Sequence, residues 1–240
     1  MNVLSEMLSY PFMVRALFGG MLVSLCASLL GVSLVLKRYS MIGDGLSHVS
    51  FGALSIALAM GWSPLKVSIP VVVLAAFFLL RITENSRIKS DAAIAMISAS
   101  SLAIGIIVTS LTTGMTTDVS SYMFGSILAM TKEDVALSAV LCIIVLGLFV
   151  LCYNQVFAVT FDENFAKATG VNVGAYNMLI SVLTAVTIVL GMRMMGAMLI
   201  SSLVIFPCLT SMRVFKSFTS VVTVLLYTSP SPRDQRGSRM

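Results

Sequence analysis

Long uncharged stretches separated by short polar segments dominate the chain. Five of them contain no Asp, Glu, Lys or Arg: Ala16–Leu36, Ala92–Thr117, Val135–Phe161, Ala168–Met192 and Met194–Met212. Each is long enough for a membrane-spanning helix, which needs about 20 apolar residues. Helices satisfy their own backbone hydrogen bonds in lipid, whereas barrel strands would alternate in segments of about ten residues. The pattern therefore predicts an all-α, polytopic helical membrane protein.

The apolar segments divide the chain into eight elements. Seven are predicted to span the membrane and the last is incomplete: 13–36, 42–60, 65–80, 92–112, 134–153, 175–192, 194–212 and 218–227. The segment Val119–Met130 is too short to span and contains polar serines, which favours a re-entrant or interfacial helix. Residues 1–227 are thus predicted to form one transmembrane domain, followed by a hydrophilic tail, 228–240.

Composition agrees with this class. Hydrophobic residues make up 58% of the chain and charged residues 10%, and the mean hydropathy is +1.01. A soluble domain carries roughly 25% charged residues, so this chain lacks the charge to cover a water-facing surface. The net charge of +5 is attributed to loops beside the lipid bilayer, and no nucleic-acid partner is expected. The four cysteines form no CxxC pair, which argues against a disulfide framework or a thiolate zinc site.

Basic residues predict the orientation through the positive-inside rule. If Val119–Met130 does not cross, one side carries Lys37, Arg38, Arg81, Arg87, Lys89, Lys167, Arg213 and Lys216. The other side carries Arg15, Lys66, Lys132 and Arg193. The first side is therefore predicted to be cytoplasmic, and the N-terminus to lie outside.

The polar stretch "FDENFAKATGVNVGAY" predicts a short cytoplasmic helix between two spans. Asp162 is a good N-cap, Glu163 lies in the first turn and Gly170 supplies a left-handed stop. About two turns fit between these signals. An ordinary loop helix and a docking element for a cytoplasmic partner both agree with this pattern.

Asp44 and His48 are the residues with the clearest chemistry. His48 is the only histidine of the chain, and the spacing of four puts both side chains on one helix face. Because the span is predicted to begin at residue 42, these two residues lie roughly one and two turns into the membrane. Ionisable residues inside a membrane usually face a bundle interior or a water-filled path. A carboxylate and an imidazole suit zinc or manganese better than magnesium or calcium. Two ligands make an incomplete metal site, and a symmetric second copy of the chain is one source of the missing ligands. The alternative is a hydrogen-bonded structural pair with Ser47 or Ser50.

Enzyme motifs are lacking. The sequence contains no HExxH, no G-x-S-x-G elbow and no Gly-rich phosphate loop, so neither catalysis nor ATP binding by this chain is predicted.

The segment "GAMLISSLVIFPC" (Gly196–Cys208) combines small residues with Pro207, which breaks the backbone ladder. It is interpreted either as a packing helix with a terminal kink or as a wall of the permeation path. In the second case Gly196, Ser201, Ser202 and Pro207 are the candidate path residues.

Four motifs follow one another along the chain: "LVLKRYSMIGDGLSHVSFGAL" (Leu34–Leu54), "DVSSYMFGSILAMTKEDV" (Asp118–Val135), "FAKATGVNV" (Phe165–Val173) and "MRMMGAMLISSLVIFPCLTSMRVF" (Met192–Phe215). In this combination and order they resemble the permease subunits of bacterial zinc/manganese ABC importers. The resemblance extends from about Arg15 to Tyr227.

The resemblance implies a type II ABC importer permease in the bacterial cytoplasmic membrane. It implies two permease copies, two cytoplasmic ATPase subunits and an extracytoplasmic metal-binding protein. Asp44 and His48 match the motif whose Asp and His line the metal path at the permease dimer, with Zn²⁺ or Mn²⁺ as cargo and no permanent cofactor. The "ATGV" loop looks like the coupling region of related permeases. Its candidate residues for ATPase coupling are Asp162, Glu163, Phe165, Lys167 and Gly170.

One part of the chain departs from the family pattern. The last span stops at "LYTSPSPRDQRGSRM", which is unlike the apolar sequence that family members have there. We expect this tail to be foreign sequence joined to a truncated reading frame. Two further functions stay open at this point, a permease for a metal chelate of siderophore or B12 type and a secondary metal transporter. The choice between zinc and manganese also stays open.

Overall fold

The computed structural model describes residues 10–37, 39, 41–85, 90–112, 125, 132–215, 220–222 and 224. Within these residues the chain is helical and contains no strand. The helices, in chain order, are α1 Pro11–Leu36, α2 Ile42–Ala59, α3 Pro64–Asn85, α4 Ser90–Leu111, α5 Lys132–Leu151, α6 Tyr153–Phe161, α7 Glu163–Ala168, α8 Val173–Met195 and α9 Ala197–Val214. The all-α class predicted from the uncharged stretches is confirmed.

The membrane-spanning helices agree with the predicted segments. Six helices are long and apolar enough to cross a membrane, and α5 with α6 forms a bent pair, which gives up to seven spans in the described part of the chain. The largest difference in a boundary is at α3, which continues to Asn85 instead of ending at residue 80. Of the predicted segment 218–227, residues 220–222 and 224 are helical. The segment Val119–Met130, apart from Gly125, and the tail 228–240 lie outside the described residues.

The bend between α5 and α6 adds a second helix to the predicted span 134–153. The helix breaks at Cys152, and α6 continues at an angle of 70° to α5. Val156 and Val159 of α6 are buried, whereas Phe157 and Phe161 are exposed. Because hydropathy measures only how apolar a stretch is, it cannot distinguish a straight helix from a bent pair.

The helix α2 is enclosed by several neighbours. It contacts α3, α4, α8 and α9. A Cβ at Gly52 of α2 would lie 2.8 Å from the carbonyl oxygen of Ser101 in α4. A Cβ at Gly31 of α1 would lie 2.2 Å from the carbonyl oxygen of Val204 in α9. Small residues thus bring these backbones into direct contact, as they commonly do between membrane helices.

Candidate functional site

Asp44 and His48 form a pair on the first turns of α2. Asp44 Oδ2 lies 3.6 Å from His48 Nε2. Asp44 is in the first turn, where a negative charge is favoured by the helix dipole. The Asp44 side chain is 49% exposed and that of His48 is 25% exposed, so both remain accessible within the folded chain. We refer to these two residues as the Asp–His pair.

The contacts of neighbouring α2 residues define the direction in which the Asp–His pair points. Successive residues turn by about 100°, so Ser47 lies about 60° to one side of Asp44 and Gly45 about 100° to the other, with His48 between. The Ser47 hydroxyl is 3.3 Å from the Ser201 hydroxyl of α9. A Cβ at Gly45 would lie 2.6 Å from the Ile94 side chain of α4. The Asp–His pair therefore lies on the side of α2 between its contact with α4 and its contact with α9. We refer to this side of α2 as the seam between α4 and α9.

The donor set at this seam is small. The described residues contain no group of three or more His, Cys, Asp or Glu side chains placed to hold a metal ion. The Asp–His pair supplies one imidazole and one carboxylate, whereas a zinc ion usually takes four ligands. The pair alone can therefore make part of a coordination shell, which suits an ion that binds and leaves.

The predicted path residues lie on or beside α9 in different environments. Ser201 is buried beside α2 and donates to the Ala197 carbonyl at 3.0 Å. Ser202 donates to the Met198 carbonyl at 2.9 Å. Gly196 separates α8 from α9 and has φ of +88°. The helix continues through Pro207 to Val214. Of the four candidates, the structure brings Ser201 next to the helix of the Asp–His pair.

Arg193 is buried in the structure, whereas the orientation argument counted it as a basic residue of a loop. It lies in the last turn of α8 and is only 7% exposed. A cation near a helix C-terminus is favoured by the helix dipole. The burial of Arg193 results from tertiary packing. The local sequence shows only a charge at the end of an apolar run, so it could not predict this burial.

The short helix α7 begins and ends as the sequence predicts. Asp162 accepts hydrogen bonds from the backbone N–H groups of Asn164 at 2.9 Å and Phe165 at 3.0 Å. Gly170 has φ of +84°, the left-handed conformation that favours glycine. Ala166 is buried in a small apolar cluster that holds α7 against the bundle. Phe165 is 61% exposed and Lys167 is exposed, so α7 presents an apolar and a basic side chain outward.

A polar network, formed by Lys37, Glu163 and Asn177, joins α7 to the ends of α1 and α8. Lys37 Nζ donates to Glu163 Oε1 at 2.7 Å and also to Asn177 Oδ1. Asn177 Nδ2 donates to the same Glu163 oxygen at 3.3 Å. We refer to these three residues as the Lys37 network.

The Lys37 network keeps Glu163 ionised. Burial disfavours the charged carboxylate, but the hydrogen bonds and charge of Lys37, together with Asn177 and Lys167, leave the pKa of Glu163 below its ordinary value. The contribution of the ion pair is therefore present above the ordinary pKa of a glutamate. It is lost when the pH falls through the lowered pKa.

Comparison with known proteins decides the family. The sequence profile of the ABC 3 transport family matches residues 9–230. The chain belongs to the ABC 3 transport family. The chain is 30% identical over 213 residues to the manganese import system permease protein ScaB of Streptococcus gordonii, covering 89% of this chain and 76% of the relative. It is 26% identical over 213 residues to the high-affinity zinc uptake system membrane protein ZnuB of Haemophilus influenzae, covering 89% and 82%.

A solved structure has the same fold as this chain. The structure of PsaBC from Streptococcus pneumoniae in complex with Fab superposes with a TM-score of 0.82 at 29% identity. The match covers 95% of this chain and 82% of the other. The predicted resemblance to ABC permeases is thus confirmed, together with the fold class.

The candidate residues of this ABC 3 family chain all lie within the matched range. Sequence reasoning used Lys37 only as a topology marker and did not identify Asn177. Glu163 and Asn177 follow Lys37 by 126 and 140 residues along the chain. The only local signal was an asparagine beside the start of a span, which is too common to predict a partner.

Proposed function

We propose that this chain is the membrane-spanning permease subunit of an ABC importer that takes up zinc or manganese. The observation that carries this proposal is the Asp–His pair, accessible at the seam between α4 and α9 in a chain of the ABC 3 transport family. Related proteins are named for zinc uptake and manganese import. An imidazole and a carboxylate are ligands that both ions accept.

The two-donor set fits a cargo ion in transit. A path site must hold the ion firmly enough to admit it and weakly enough to release it. A second permease copy supplies the missing donors by presenting its own Asp–His pair across the seam. Ser201 and Ser202 stay the candidate path residues of α9, because hydroxyl groups can replace part of the hydration shell of an ion.

Energy and delivery come from other subunits. α7 docks on a cytoplasmic ATPase subunit through the exposed Phe165 and Lys167, while Asp162, Glu163 and Gly170 shape and hold the helix. An extracytoplasmic metal-binding protein delivers the ion to the opposite side of the bacterial cytoplasmic membrane. The permease itself holds no permanent cofactor, and ATP hydrolysis belongs to the partner.

Metal accumulation in cells tests this function directly. The full chain is produced with its ATPase and metal-binding partner subunits in a bacterial strain that lacks its own zinc and manganese importers. Cell content of zinc, manganese and siderophore-bound iron is measured by mass spectrometry, with and without the ATPase subunit. We expect zinc or manganese to rise only when the ATPase is present. A rise in siderophore-bound iron alone would identify a chelate permease, and uptake without the ATPase would identify a secondary transporter.

The proposed orientation makes a separate prediction. Single cysteines are placed at Lys66 and Lys167 in a chain whose four native cysteines are replaced by alanine. Both positions are exposed in the structure, so packing does not limit their reaction. An impermeant maleimide should label position 66 on intact cells, and position 167 only after the membrane is opened. Labelling of position 167 on intact cells would contradict the orientation and the docking of α7 on a cytoplasmic ATPase.

A further inference from the structure

Lys37 is a buried cation whose partners lie on two other helices. Its side chain is 5% exposed. Glu163 belongs to the first turn of α7, and Asn177 lies near the start of α8. A lysine withdrawn from water needs such acceptors, because an unpaired buried ammonium is costly. The Lys37 network therefore fixes α7 to the end of α1 at one point.

The end of α1 is joined to α2 by a tight connection. The backbone N–H of Tyr39 donates to Leu34 O at 2.8 Å, and that of Ile42 donates to Tyr39 O at 3.0 Å. The N–H of Gly45 donates to Met41 O at 3.1 Å. Asp44 follows Lys37 by only seven residues. Backbone hydrogen bonds of Tyr39 and Ile42 thus link the end of α1, where Lys37 lies, to the start of α2.

At the other end of the Lys37 network, α7 and its neighbours form a compact unit. Asp162 caps α7, and Ala166 packs with Val159 and Val173 on either side of it. The helix has only six residues. Force applied at the exposed Phe165 therefore displaces Glu163 with it.

We infer that the Lys37 network transmits movement of α7 to the Asp–His pair, so that Lys37 and Glu163 are positioning residues for transport. The inference rests on the proposed function, because it requires an ATPase that moves α7. It identifies a polar route from α7 to α1, in addition to the apolar packing of Ala166 in α7 against Val173 of α8. The ion pair need not add stability to have this role, since buried ion pairs often contribute little net stability.

The test uses the whole importer, reconstituted in lipid with its ATPase and metal-binding partners. ATP hydrolysis is measured with and without the metal-loaded binding protein, together with the metal ions transported per ATP. The variants are Lys37→Gln, Glu163→Gln and the double variant, with Lys66→Gln as a control that removes an exposed lysine from α3.

We expect basal ATP hydrolysis to be retained while stimulation by the loaded binding protein falls roughly 2- to 30-fold, the range that residues between coupled sites produce. Both single variants and the double variant should fall by a similar factor, because each breaks the same link. The charge-reversed double variant Lys37→Glu with Glu163→Lys should recover part of the stimulation, which shows that loss is not due to misfolding.

Three results would overturn the inference. Unchanged stimulation in Lys37→Gln would mean that movement travels through α8 instead. A double variant whose loss equals the product of the single losses would mean independent roles. A parallel fall of basal hydrolysis and stimulation, without recovery in the charge-reversed variant, would mean general damage. An unmodified importer with no metal-dependent hydrolysis would instead refute the proposed function.

Discussion

Replacement of His48 by glutamine is expected to reduce zinc and manganese uptake by the assembled importer by more than about tenfold. Glutamine can hydrogen-bond in place of the imidazole but is a poor ligand for either ion, and even outer partners of a metal site cost 10- to 100-fold when lost. Asp44→Asn should have a similar effect, because it removes the negative charge that offsets the cation. Uptake of radioactive zinc or manganese into cells with matched permease levels measures both changes.

The control for this pair is Ser50→Ala on the same helix. The Ser50 hydroxyl is buried and makes no hydrogen bond in the described part of the chain, so its removal should leave uptake near normal. Membrane insertion and assembly with the ATPase should be equal in all variants. Normal uptake by His48→Gln would return the Asp–His pair to a structural role.

Gly170→Val is expected to lower transport roughly 5- to 30-fold by distorting the end of α7. A β-branched residue in the left-handed region costs about 1–2 kcal/mol, which is relieved by unwinding the helix end. A Cβ at Gly170 would meet no atom within 4 Å, so only backbone strain acts. Transport and ATPase stimulation in the reconstituted importer should fall together, while the permease still inserts.

Gly61→Val provides a matched control at the turn between α2 and α3. Gly61 has φ of +70° and equally open surroundings, so valine there brings comparable strain far from α7 along the chain. Gly61→Val should lower thermal stability to a similar degree and leave ATPase stimulation intact. Gly170→Asn should retain more transport than Gly170→Val, because asparagine tolerates this conformation. Equal effects of Gly61→Val and Gly170→Val on stimulation would argue against coupling through α7.

The positions of the helices were predictable where the lipid environment restricts the sequence. Because charge is excluded from the hydrocarbon, the uncharged stretches mark the spans, and α2 begins and ends within one residue of its predicted bounds. Caps are equally local, and Asp162 and Gly170 therefore appear in the structure as expected. The break at Cys152 was not predictable, since both sides of it are apolar.

The candidate site was predictable only where its residues lie on a single helix. The spacing of Asp44 and His48 places them together regardless of fold, whereas their direction depends on α4 and α9. The Lys37 network combines residues from three helices, and no local pattern brings Glu163 to Lys37. Burial of Arg193 likewise results from packing, while the sequence shows only a charge at the end of a span.

A copy of this chain without its partners carries a half-exposed carboxylate, Asp44, on a helix that must sit in the membrane. An ionised aspartate costs about 2.5–3.5 kcal/mol at the middle of a bilayer and less toward its edge. We therefore expect an unassembled subunit to be poorly solvated by lipid and to be degraded by membrane proteases. Its lifetime should be shorter than that of the complete importer, so turnover of unassembled copies would keep the number of permeases matched to the supply of their partners.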